Sequence, residues 1–146
     1  MDMKLFALLI PLLLAALAVG GCDKPRDPQN APEMKEKLAG KVNLALWKVD
    51  TTDEQKKKMD LLLDGLAVDL FAFQQEDKAL KRSIIEALDA DPVDRPALDA
   101  LQKRGLDLFD RYTRRMIVAA DDAAAILTLK QRRELLELWR DWEFGE

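Results

Sequence analysis

Apolar residues recur along this chain at helical spacing in four stretches, separated by polar or proline-bearing breaks. Between Glu33 and about Lys48, Met34, Leu38, Val42 and Ala45 fall three or four residues apart and lead into Leu46 and Trp47, which predicts a first helix. Asp50 and Thr51 make a turn. A second helix is predicted from Asp53 to about Asp89, about 55 Å at 1.5 Å per residue, with a core stripe of Met59, Leu62, Leu63, Leu66, Leu70, Phe73, Leu80, Ile84 and Leu88 that only Asp77 interrupts. Pro92 and Pro96 then force a break, and Asp94 is the expected N-cap of a third helix. That helix carries Leu98, Leu101, Leu108, Phe109, Tyr112, Met116, Ala119, Ala123 and Leu127 on one face, and a fourth begins at Thr128 and buries some of Leu135, Leu136, Leu138, Trp139 and Trp142. The pattern predicts an all-α fold, an elongated antiparallel hairpin of about four helices.

The second helix has a further stripe. Leu61, Gly65, Val68, Ala72 and Ala79 fall roughly 180° from its core face at about 100° per residue, with Phe71 at their flank. One hairpin cannot cover both faces. A homodimer through this helix accounts for most of the stripe, and Phe71 and the rim are candidates for contact with other apolar chains.

Two of the helix starts share a motif, Thr52-Asp53-Glu54-Gln55 and Thr128-Leu129-Lys130-Gln131. The threonine caps by accepting from the third residue's N–H, and the glutamine reaches back to the threonine's own N–H. The second box is preceded by Leu127, the first by Thr51. Thr52, Gln55, Thr128 and Gln131 are therefore read as capping residues.

Ahead of the helices, residues 1–21 read as an export signal, with Lys4 before an apolar run from Leu5 to Val19. Val19-Gly20-Gly21-Cys22 then places small residues before the only cysteine, which resembles the lipobox of bacterial lipoproteins. Lipidation at Cys22 would anchor the chain to a membrane; the other readings are a secreted protein with a free thiol or an uncleaved N-terminal span interrupted by Pro11. Asp23 resembles a signal for retention in the inner membrane rather than the outer. Residues 22–32 hold Pro25, Pro28 and Pro32 among polar neighbours and read as a tether, whose ten residues after Cys22 reach about 33 Å when extended. The folded domain is assigned to residues 33–146.

Composition narrows the chemistry. There is no histidine, and the single cysteine is the candidate lipid attachment point, so imidazole and thiolate metal sites cannot be assembled. The one serine, Ser83, stands in a helix without an imidazole base, and acidic neighbours such as Asp121 and Asp122 read as solvated surface. No catalytic residue and no cofactor is assigned, and the protein is read as a non-enzyme. A net charge of −4 and the lack of a basic-aromatic pattern or phosphate loop argue against nucleic acid. Arg104, Arg111, Arg114 and Arg115, with Lys103, do gather on the outward side of the third helix, interspersed with Asp107 and Asp110. They form either a salt-bridged solvated face or a basic lip that attracts acidic segments of unfolded chains.

An exported helical hairpin with one Thr-x-x-Gln box before its first long helix, a Leu-Thr-x-x-Gln box before its last and an Asp91-Pro92 break between the long helices resembles the Spy/CpxP family of bacterial periplasmic proteins. The resemblance spans about Lys41 to Trp142. It implies a cradle-shaped antiparallel dimer, acting as an ATP-independent chaperone or as a modulator of envelope-stress signalling. Related members bind heavy metals through histidines, which this chain lacks; its net acidity and its lipid anchor are further departures. The expected function is therefore a membrane-tethered periplasmic protein that binds unfolded or misfolded envelope proteins. A stress-signalling accessory docked on a membrane sensor protein is the alternative, and a heavy-metal sensor is a third.

Overall fold

The computed structural model describes residues 26–145, so the signal segment and Cys22 lie outside the described residues. Four helices follow in order: α1 (Ala31–Lys48), α2 (Asp53–Asp89), α3 (Arg95–Ile126) and α4 (Leu129–Phe144), with no strand among the described residues. The fold is all-α, and α2 and α3 form the long antiparallel hairpin.

Each helix start has a local cause. The Asn30 side chain accepts from the Glu33 N–H at 2.9 Å, and Pro32 occupies the first turn, where its missing N–H costs nothing. Helix α1 therefore begins at Ala31, two residues before the start expected from its apolar spacing. The folded part reaches further back still, because Pro28 is buried and the Asp27 carboxylate pairs with Lys78 of α2 at 3.2 Å. Asp27, Pro28 and Asn30, read as tether from composition, thus contact the helical body. Thr52 and Thr128 open α2 and α4 with complete capping boxes, and Asp94 caps α3 by accepting from Ala97 N–H at 2.9 Å. At the α1–α2 turn Asp50 adopts φ 49°, a left-handed conformation that aspartate tolerates better than most residues.

Three helices share one core: Met34 and Leu38 of α1, Leu63, Leu66, Ala67 and Leu70 of α2, and Met116 and Ala119 of α3. Burying each large apolar side chain here stabilises the fold by roughly 1.5–3 kcal/mol. A second cluster near the α4 start joins Leu46, Met59 and Leu127, with Leu135 of α4 packed against it. Along the hairpin Phe73 meets Tyr112 edge to face, 5.7 Å between ring centres. Further on, the two helices approach closely enough that a Cβ at Gly105 would stand 3.3 Å from Leu80 Cδ2.

Leu88 and Phe109, both expected on core faces, point outward, and so do Trp47 and Leu138. Leu88 is 53% exposed, Phe109 67% and Trp47 75%, and Leu138 is also largely open. The cause for Leu88 and Phe109 is reach: α1 starts at Ala31 and covers only the half of the hairpin distant from the α2–α3 turn, so the turn half has two helices and no third layer. Trp47 follows Leu46 by about 100° on the same helix, and Leu46 takes the inward place. Ala119 is buried as expected, and Ala67, Ala87 and Ala120, outside the expected stripes, are buried as well.

Candidate functional site

The outward stripe of α2 is present. Leu61 is 64% and Val68 57% exposed, and Gly65, Ala72 and Ala79 are exposed with them, so this chain's own helices leave that face bare. Phe71 differs: it is half-buried and packs against the main core cluster, so only part of its ring belongs to the rim.

The arginines of α3 are mostly neutralised. Arg111 grips Glu76 of α2 with both terminal nitrogens, at 2.7 and 3.3 Å, while its Nε donates to Asp107 at 2.9 Å. Its guanidinium also sits over the Phe73 ring, 5.7 Å from the centroid. The Arg111 hydrogen bonds hold the Glu76 carboxyl below the usual glutamate range, and Glu76 and Asp107 in turn raise the arginine. Arg115 pairs with Asp69 of α2, and Arg114 pairs with Asp110 one turn away at 2.8 Å. Arg104 contributes to the field at Glu76 without an ion pair among the described residues. Arg111 and Arg115 thus form a salt-bridged seam that ties α3 to α2, while Arg114 pairs within α3.

The capping glutamines do more than cap. Gln55 Nε2 donates to Gln131 Oε1 at 2.8 Å, and Gln131 Nε2 donates back to Gln55 Oε1 at 3.1 Å. Each Oε1 also accepts from its own threonine's backbone N–H, at 3.0 Å for Thr52 and 2.9 Å for Thr128. Each remaining amide hydrogen goes to the carbonyl two residues ahead of the other box, Gln55 to Ile126 at 3.0 Å and Gln131 to Asp50 at 3.2 Å. Both donors and both acceptor positions of each amide are thus used. By their spacing in the sequence the two boxes are independent caps, because spacing says nothing about which helix ends meet. The residue type was the available signal: a glutamate completes a capping box equally well, but only an amide can also donate. Thr51, where the second box has leucine, is buried and donates its hydroxyl to Leu46 C=O at 3.1 Å, closing the end of α1.

Among the described residues no group of three or more His, Cys, Asp or Glu could hold a metal ion. Ser83 lines a shallow hollow of about 400 Å³ at the hairpin turn with Glu86, Ala87 and Leu101, and no histidine exists to act as its base. No helix among the described residues is long and apolar enough to cross a membrane.

A family model described as heavy-metal resistance matches residues 6–134, most of the chain. The chain belongs to the heavy-metal resistance family. No curated protein and no solved structure matches it. The chain has no imidazole and a single thiol, the ligand types that soft heavy metals favour.

Proposed function

We propose that this member of the heavy-metal resistance family is a non-catalytic protein of the bacterial periplasm, anchored by lipid at Cys22, that holds partly unfolded envelope proteins without nucleotide. The observation that carries the reading is the bare stripe on α2, where Leu61, Val68 and Ala72 face away from every other helix of the chain. Two copies meeting through most of this stripe would form the dimer that the resemblance to Spy/CpxP proteins implies, with its rim free for clients. Because the arginine seam is neutralised, capture rests on shallow apolar contact, with fast exchange, more than on electrostatic steering.

The family description fits this mechanism without a metal site. Thiophilic metals damage envelope proteins by seizing cysteine and histidine side chains, and a protein that holds the damaged chains contributes to resistance while having few such ligands of its own. Light scattering of a chemically denatured client tests the reading. Stoichiometric mature protein should suppress aggregation, and scattering that is unchanged by the protein rules the holding function out. Crosslinking in cells then separates a holder of many chains, which gives a broad smear, from a signalling accessory, which gives one dominant partner.

A further inference from the structure

The turn half of the hairpin carries a second bare apolar surface, on the side where α1 lies further along. Ile85 follows Ala67 and Leu88 follows Leu70 by eighteen residues, five whole turns at about 100° per residue, so each pair points the same way. Ala67 and Leu70 are covered by the core, whereas Ile85 is 66% and Leu88 53% exposed. On α3, Phe109 precedes the buried Met116 by about two turns and is exposed, as is Leu106 one turn earlier. The covering layer stops at the segment before α1, where Pro28 is buried and Asp27 pairs with Lys78. Beyond that point the trough between α2 and α3 has no lid among the described residues.

The chain itself indicates what closes it. From Asp27 back to Cys22 is five residues, at most about 18 Å of extended backbone, and Lys78 to Leu88 spans about 15 Å of helix. A lipid-anchored Cys22 therefore cannot hold the body far from the bilayer, and the side brought nearest is the one from which Asp27 emerges. That side displays apolar residues with Lys78 and Lys81 beside them, side chains whose long stems can lie along apolar surface while the ammonium stays in water. The opposite end, at the paired glutamines, stands about 35 Å from Lys78 along α2.

We propose that the turn half of the hairpin lies on the bilayer surface that holds the anchor, with Ile85, Leu88, Leu106 and Phe109 in the interface, so that the Leu61–Val68 stripe is held away from the membrane. The proposal rests on the lipid-anchor reading. Apolar contact supplies the attraction, with Lys78 and Lys81 beside it held by Asp27 and Asp77.

The mature lipidated chain, carrying a fluorophore on a single cysteine introduced at Leu106, Ile85, Leu61 or Trp47, is placed in vesicles of phosphatidylethanolamine and phosphatidylglycerol that contain a spin-labelled phospholipid, and its mass reports acylation at Cys22. The labels at Leu106 and Ile85 should be quenched, and those at Leu61 and Trp47 should not. Leu88→Asp with Phe109→Asp should abolish quenching at Ile85 while the chain stays on the vesicles and keeps its helical signal. An acylated chain with equal or no quenching at all four positions overturns the proposal and leaves the anchor standing. Protection of Leu106 that grows with protein concentration, without quenching, assigns the trough to a second copy and also overturns it. A chain without acyl mass removes the anchor reading and the proposal with it.

Discussion

Gln55 and Gln131 bind each other through both polar atoms of their side-chain amides, and each also holds a backbone carbonyl at the mouth of the other's helix. The starts of α2 and α4, separated by 76 residues in sequence, are thereby locked into one hydrogen-bonded unit. A capping box stabilises one helix; two boxes that share their glutamines stabilise a helix and its placement together.

Gln131 is buried, so Gln131→Ala strands the Gln55 amide and the Asp50 carbonyl and should destabilise the fold by about 1–3 kcal/mol. Gln55→Ala combined with it should cost less than the sum of the two by about 1 kcal/mol, as expected for one shared network. Gln131→Glu keeps the capping acceptor but cannot donate, and should fall closer to the alanine variant than to the native chain. Urea denaturation checks all three. Thr128→Ala should cost about 1 kcal/mol and show mainly as faster amide exchange in α4.

Gly40 lies in the middle of α1, exposed, and a Cβ there would meet nothing within 4 Å. Gly40→Ala should therefore stabilise the protein by about 0.5–1 kcal/mol through helix propensity and a less free unfolded chain. The thermal midpoint measures it, and a loss of stability would show that this face is occupied.

Glu76 is lowered in the folded state by its hydrogen bonds from Arg111. Its stabilising contribution is present above the unfolded glutamate value and disappears as pH falls through the lower folded value. Glu76→Gln should thus reduce stability at neutral pH and flatten the loss of stability between neutral and acid conditions. Screening by solvent keeps the effect small, because both side chains of the pair are more than a third exposed. Denaturation midpoints from pH 7 to pH 3 give the slope.

Leu61 and Val68 are exposed within one chain, so Leu61→Asp with Val68→Asp should leave the stability of an isolated chain nearly unchanged. The same pair should abolish dimerisation and client holding. Light scattering and a denatured-client assay read the two losses separately. A variant that is fully dimeric and active places the working surface elsewhere.

The four helices and both bounds of α2 follow from spacing and caps alone, since Thr52-x-x-Gln55 at one end and the Pro92 and Pro96 break at the other are local signals read over a few residues. The early start of α1 was also legible, because Asn30 and Glu33 are a cap and its third residue; the prolines around them favoured the tether reading instead. Leu88 and Phe109 could not be placed in this way. Their spacing matches the core stripe, and whether a stripe is covered depends on how far a different helix extends.

What the sequence determined by itself is helical order and the presence of apolar area on more than one side of α2, because periodicity and capping act within a turn or two of chain. Tertiary structure alone decided which area is covered, which arginine finds which carboxylate, and that two distant glutamines meet. Those outcomes depend on the length and crossing of neighbouring helices, and no residue's own neighbourhood in the chain encodes them.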